Sequence, residues 1–178
     1  MVASIWLQLG GDEHELLRDL ITELAAEHGT MPFQPHLTVC TIANLRPEAG
    51  DAAAAYIADS RVLPLKVGKV GVSYSTTVPF RAVIIDIENS RELQIFREGL
   101  RDITTANALV APHISLLYTI DASARRTAWS GSEEKLGQIA AAAEQRLAAM
   151  RFLLERPILV APDGDWTNIG SWTTLRRF

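Results

Sequence analysis

The sequence predicts a mixed fold of strands and helices in which one structural unit occurs twice. Each copy has a strand-like run, an amphipathic helix and a second strand, in that order. The second strand of each copy contains a proline, a histidine, an aliphatic residue, a hydroxyl residue and another aliphatic residue, at Pro35–Val39 and Pro112–Leu116. Because no linker or low-complexity tract separates the copies, we expect one compact unit over residues 1–178.

Composition narrows the class of protein. The chain has 178 residues, 48% of them hydrophobic and 21% charged, as in ordinary globular proteins. A net charge of −4 argues against a protein that coats nucleic acid through many phosphate contacts, but allows a small phosphate ligand. One cysteine excludes an intrachain disulfide framework and favours a reducing compartment. No apolar run is long enough to cross a membrane and no signal peptide is recognisable, so we expect a cytoplasmic protein that does not bind membranes.

The first copy begins with a strand over residues 4–9, in which apolar and other residues alternate up to Gly10 and Gly11. Trp6 points away from Ile5 and Leu7, where it either caps a core edge or lines a cleft. A helix follows from a capping Asp12 to His28, with Gly29 as its stop signal. Pro35 makes the preceding residue extended and begins the motif strand, residues 35–42.

The second copy begins after an alanine-rich helix over Pro47–Ala58, which has its proline in the first turn. Residues 63–73 and 80–88 predict an antiparallel hairpin. Ser90 caps a helix that runs to about Asn107, and the second motif strand covers residues 111–118. The rest of the chain is expected to form a helix over 132–149 and two strands over 152–160 and 165–176.

The two motifs carry the chemistry. Side chains alternate between the faces of a strand, so His36 shares a face with Thr38, and His113 shares one with Ser115. The aliphatic residues between them face the core. Two imidazoles, whose ordinary pKa lies near neutral pH, suit a general base and a general acid on a phosphodiester. Hydroxyl groups beside them can donate hydrogen bonds to phosphate oxygens.

Other reactive residues have simpler interpretations. His14 and His28 lie at the two ends of one helix, and we interpret both as surface residues. Cys40 is expected on the same face as His36, as a small lining residue and not a nucleophile, because no basic neighbour lowers its pKa. The motif histidines have no recognisable third ligand for zinc, and the sequence lacks the G-x-S-x-G pattern of serine hydrolases. No metal or other cofactor is predicted.

Together these residues resemble the 2H phosphoesterase superfamily. The resemblance rests on the paired His-x-Thr/Ser motifs, on Trp6 in the first strand and on Tyr118 three residues after Ser115. Within the superfamily the chain is more similar to the cyclic phosphodiesterase branch than to the bacterial RNA ligase-like branch. The resemblance implies an α+β, bilobal fold with two antiparallel sheets and outer helices around a central cleft, related by a pseudo-twofold axis.

The resemblance also implies residue roles. His36 and His113 would be the acid/base pair, without assignment of the base, and Thr38, Ser115 and Tyr118 would bind the phosphate. Trp6 and Phe80 would line the cleft and stack on a base, although Phe80 could equally be a core residue.

The implied activity is metal-independent hydrolysis of a cyclic phosphate to a phosphomonoester. Its substrate would be a small nucleotide, either a nucleoside 2′,3′-cyclic phosphate or ADP-ribose 1″,2″-cyclic phosphate, with no obligate protein partner. One alternative is a 2′,5′ RNA ligase-like or RNA end-processing enzyme, which needs a basic track. Candidates for that track are Lys66, Lys69, Arg125 and Arg126. Another alternative is a non-catalytic nucleotide-binding module that uses the same cleft.

Overall fold

The computed structural model describes residues 2–60, 63–74, 81–107, 111–119, 133–147, 152–161 and 172–177. The predicted residue Phe80 and the candidate basic residues Arg125 and Arg126 lie outside these ranges. The elements along the chain are β1 (Ala3–Leu9), α1 (Gly11–His28), β2 (Leu37–Ile42), α2 (Pro47–Ala58), β3 (Leu63–Leu65), β4 (Val67–Tyr74), β5 (Arg81–Ile87), α3 (Arg91–Thr104), β6 (His113–Tyr118), α4 (Glu133–Leu147), β7 (Phe152–Ala161) and β8 (Thr173–Arg177).

The strands are antiparallel and follow the order β3-β7-β1-β2-β6-β5-β4, with β8 paired to β7. The two motif strands, β2 and β6, therefore lie side by side in the centre. Within the described residues they meet at one pair, Leu37 opposite Ile114. The predicted α+β fold with antiparallel strands is confirmed, and the two expected sheets are continuous through this pair as one sheet. Each motif strand pairs with the strand that comes before it in the chain, β1 for β2 and β5 for β6. One helix, α1 or α3, connects the two strands of each of these pairs. The internal duplication itself stays a prediction.

The sheet is strongly curved. β3 and β4 lie at its two ends, which on a flat sheet of this order would be about 29 Å apart at the usual strand spacing. In the chain, however, only Lys66 separates these strands, and two Cα steps span at most about 7 Å. The two ends of the sheet must therefore curve round until they nearly meet. This curvature produces a concave face between the two halves.

Most predicted helix boundaries are confirmed, and the caps explain them. Gly29 adopts the left-handed conformation, φ 66°, that ends α1, and Pro47 occupies the first turn of α2. The hydroxyl of Ser90 accepts a 3.1 Å hydrogen bond from the Leu93 amide at the start of α3. The expected cap of α1 is wrong, because α1 begins at Gly11 and Asp12 lies inside its first turn.

Two further expectations are corrected. Residues 63–73 do not form one strand: the chain breaks at Lys66, and β3 pairs with β7 while β4 pairs with β5 in the expected hairpin. His28 is not a surface residue, because its side chain is only 2% exposed in a groove between α1 and α4. Burial lowers its pKa. Periodicity along α1 could not reveal that α4 covers its last turn.

One hydrophobic cluster joins the helices to one face of the sheet. It includes Leu17 and Leu20 of α1, Leu100 of α3, and the paired residues Leu37 and Ile114, all of them fully buried. Because the helices cover this face, the motif side chains that point the opposite way are directed to the concave face. Within the described residues, no helix is long and apolar enough to cross a bilayer.

Candidate active site

The pair of Leu37 and Ile114 positions the candidate site. These residues occupy the same place in the two motifs, between the histidine and the hydroxyl residue. Directly opposite residues of an antiparallel pair are related by a local twofold axis between the strands. That axis relates His36 to His113 and Thr38 to Ser115. Since Leu37 and Ile114 face the core, these four side chains share the other face.

Each motif proline helps to orient its histidine. Nδ1 of His36 lies 2.7 Å from the Gln34 carbonyl, and Nδ1 of His113 lies 2.8 Å from the Ala111 carbonyl. In both cases the proline between carbonyl and histidine keeps the preceding residue extended. A carbonyl oxygen only accepts hydrogen bonds, so Nδ1 is the protonated nitrogen in both rings. Each Nε2 is therefore the nitrogen that can exchange a proton with a ligand.

A β-bulge follows the hydroxyl residue of each motif. In β2, Ile5 pairs with Cys40 and Trp6 with Thr38, so Val39 is the extra residue. In β6, Val83 pairs with Leu117 and Ile84 with Ser115, which makes Leu116 the extra residue. Bulges near active sites redirect side chains, because they shift the alternation by one position. In β2, the Arg97 guanidinium of α3 also donates a 3.4 Å hydrogen bond to the Val39 carbonyl.

These bulges settle the position of Tyr118 and overturn the one expected for Cys40. Tyr118, three residues after Ser115, shares its face and hydrogen-bonds to it. Burial raises the pKa of Tyr118, and this hydrogen bond opposes the increase. Cys40, two residues after Thr38, is turned to the helix side, where its Sγ lies 3.9 Å from the Thr104 hydroxyl. The expectation that Cys40 shares the face of His36 is therefore wrong.

The two histidines differ in burial. His36 is only 4% exposed, whereas His113 is partly exposed. The Trp6 ring stacks on the His36 imidazole, with centroids 3.5 Å apart and planes 11° from parallel. Trp172 meets the same imidazole edge-on at 5.8 Å, and Phe33 at 6.3 Å. An aromatic cover formed by Trp6, Phe33 and Trp172 thus surrounds His36.

This cover determines the protonation state of His36. Burial lowers its pKa to about 4, opposed by the hydrogen bond to the Gln34 carbonyl and assisted by the positive charge of His113. His36 is therefore neutral at neutral pH. The effect of one histidine on the other also shows that their rings are close enough to interact electrostatically.

Trp172 confirms that the motif face is concave. It precedes β8, which is four strands away from the strand of Tyr118, or about 19 Å on a flat sheet. Their ring centroids are nevertheless 6.1 Å apart. Side chains stand roughly perpendicular to a sheet, so this contact requires the two halves to face each other. Trp172 and Phe33 were not among the predicted site residues, because their places depend on this curvature and on a loop.

The predicted role of Trp6 needs correction. Its ring is 4% exposed and lies against His36, so it has no open face for a nucleotide base. Its contact with the candidate site is the His36 imidazole that it covers. Of the candidate basic track, Lys66 forms a 2.7 Å ion pair with Glu88, which neutralises its charge, and Lys69 is exposed. Within the described part of the chain, no cluster of three potential ligands could hold a metal ion.

Comparison with known proteins extends these observations. No protein-family model matches the sequence, and a search of curated proteins finds no match either. Solved structures do match. The fold is similar to that of E. coli LigT. Its apo form superposes with a TM-score of 0.59 at 16% identity, covering 99% of this chain and 95% of that chain.

Two further structures share this fold. E. coli LigT complexed with 3′-AMP matches with a TM-score of 0.57 at 15% identity, covering 99% of this chain and 95% of that chain. Usb1 of Kluyveromyces marxianus matches at 0.52 and 15% identity, covering 98% of this chain and 97% of that chain. Both proteins are 2H phosphoesterase superfamily members. The resemblance drawn from the two motifs is therefore confirmed at the level of the fold.

Proposed function

We propose that this protein is a metal-independent cyclic phosphodiesterase, which hydrolyses a cyclic nucleotide phosphate to a phosphomonoester. One observation carries the proposal: two imidazoles on one concave face, each with Nδ1 held by a backbone carbonyl and Nε2 left for a ligand. Structures of LigT complexed with phosphate and with 3′-AMP support a phosphate-bearing ligand for this fold.

The burial of the histidines suggests their roles. His36 is neutral at neutral pH, so its Nε2 can accept a proton from water as the water oxygen attacks phosphorus. The phosphorus–oxygen bond to one ribose oxygen then breaks. His113, which solvent reaches, donates its Nε2 proton to that oxygen. Thr38 and Ser115 stabilise the charge on the non-bridging oxygens, and the product is a phosphomonoester.

The test is turnover of nucleoside 2′,3′-cyclic phosphates in the presence of a chelator, followed by chromatography of the monoester. We expect turnover by the unmodified protein and a loss of 100-fold or more in His36→Ala and His113→Ala. His14→Ala is the matched control, because it removes a histidine outside the site and should keep full activity. Thermal unfolding of each variant checks that it is folded.

Three results would contradict the proposal. The first is full activity in both motif variants, and the second is activity that disappears with chelator and returns with a metal. The third is tight nucleotide binding without turnover, which would instead indicate a non-catalytic binding module.

A further inference from the structure

Arg177 lies on the same face of the sheet as the candidate active site. In β8 it pairs with residue 158 of β7, which pairs with Trp6 of β1, and Trp6 pairs with Thr38 of β2. Directly opposite residues on neighbouring antiparallel strands share a face. Arg177 therefore extends a row of positions that begins at Thr38, at most about 14 Å away across three strand spacings.

A hydrogen bond directs the Arg177 side chain toward His36. Its Nη1 donates to the Gln8 side-chain oxygen at 3.4 Å. Gln8 is two residues beyond Trp6 and shares its face. Leu7 pairs with Leu37, and the strands are antiparallel. Gln8, which follows Leu7, therefore lies beside His36, which precedes Leu37. The guanidinium thus lies toward the His36 end of the concave face, beyond the aromatic cover.

The neighbouring arginine shows what distinguishes Arg177. Arg176 points to the other face, where it forms a 2.8 Å ion pair with Asp51 of α2. Within the part of the chain that the structure describes, no carboxylate lies within ion-pair distance of Arg177. Its side chain is exposed, and its bond to Gln8 engages one of five guanidinium donors. In a chain of net charge −4, this is a cation held at the edge of the reaction site.

We propose that Arg177 and Gln8 form a subsite for a second phosphate of the substrate. This phosphate would be attached to the 5′ oxygen of the nucleoside whose cyclic phosphate lies between the histidines. The planar guanidinium can bind two phosphate oxygens at once. Gln8 accepts the arginine N–H through its oxygen, and its amide N–H2 group would serve as a further donor to the same anion.

This subsite rests on the proposed function for its place in the reaction, but it can be tested by binding alone. Adenosine 3′-phosphate and adenosine 3′,5′-bisphosphate differ only in the second phosphate. By calorimetry we expect the bisphosphate to bind the unmodified protein about five- to tenfold more tightly, because the second phosphate gains a charge-assisted contact near solvent. In Arg177→Met this preference should fall to about one, because the charge is lost while the aliphatic stem stays.

Two matched variants make the test specific. Arg176→Met removes a neighbouring charge on the opposite face and should keep the preference, and Arg177→Lys should retain part of it. No preference in the unmodified protein, or the same preference in Arg177→Met, overturns the subsite. The proposed function is tested separately, by turnover of nucleoside 2′,3′-cyclic phosphates.

The origin of the second phosphate can be distinguished by kcat/KM. A nucleoside 2′,3′-cyclic phosphate with a 5′-diphosphate represents a small diphosphate substrate, and a dinucleotide that ends in a 2′,3′-cyclic phosphate represents an RNA end. The reference compound is a nucleoside 2′,3′-cyclic phosphate that has no 5′-phosphate. If either of the two compounds is preferred over it, that preference should depend on Arg177. A preference that survives in Arg177→Met contradicts the assignment.

Discussion

The two motifs have the same residue pattern and yet place their histidines in different environments. Both histidines are tied to the carbonyl two residues earlier, and both motifs continue into a bulge after the hydroxyl residue. His36, however, lies beneath Trp6, Phe33 and Trp172, whereas solvent reaches His113. A motif thus sets the direction of an imidazole, and the elements around it set its protonation state. From this difference we infer that His36 is the base and His113 the acid of the proposed reaction.

The largest expected effect tests that assignment with the leaving group. A phosphodiester of 4-nitrophenol releases a stable phenolate that needs no proton from an acid. With this substrate the loss in His113→Ala should shrink to less than about tenfold, while the loss in His36→Ala should stay at 100-fold or more. Initial rates with both substrates measure the difference. An equal loss in the two variants would show that the roles are not divided in this way.

The difference in burial between the two histidines should also appear in the pH dependence of protein stability. The pKa of His36 is about 4 in the folded protein and near its ordinary value of 6.5 when unfolded, so the unfolded chain binds the proton first as pH falls. Stability should therefore decrease between about pH 6.5 and pH 4, by about 3 kcal/mol in total. Urea unfolding across this range measures the slope. His36→Gln should lose most of it and His113→Gln should keep it; the reverse would place the buried imidazole at the other motif.

The aromatic cover should set the acidic side of the pH–rate profile. A base is active when it is neutral, so a lowered pKa keeps His36 competent well below pH 6. Trp172→Ala admits water to the imidazole and should raise its pKa, which moves the acidic limb of kcat/KM upward by about one pH unit. Leu175→Ala, three residues further along the chain in β8 and exposed, is the control. An unchanged limb in Trp172→Ala would mean that Trp172 does not contribute to the low pKa.

A smaller effect is expected at Tyr118, whose hydroxyl hydrogen-bonds to Ser115. Tyr118→Phe keeps the ring and removes this bond, which we expect to raise KM about threefold, the equivalent of a modest hydrogen bond. The corresponding position of the other motif is Thr41, and Thr41→Val provides a comparison on the His36 side. A larger effect at Thr41 than at Tyr118 would indicate that the phosphate lies nearer β2 than β6.

The sequence predicted the parts of this site that depend on local alternation. His36 with Thr38 and His113 with Ser115 needed only the two-residue repeat of a strand. Cys40 was misplaced, because the bulge at Val39 shifts that repeat and no local signal marks it. Trp172 and the separation of β3 from β4 were missed for another reason. Both follow from the curvature of the whole sheet, which pairing between distant segments determines.

We propose that two imidazoles direct Nε2 at one phosphate and that burial holds His36 neutral well below pH 6. Nitrogen-15 NMR of the histidine rings, recorded from pH 8 to pH 3.5 with and without adenosine 3′-phosphate, tests this most directly. We predict that both rings have the Nδ1–H tautomer when neutral, that His36 titrates near pH 4 in the free protein, and that the ligand shifts Nε2 of both rings. Titration of His36 near pH 6.5, or a ligand response from only one of the two histidines, would contradict it.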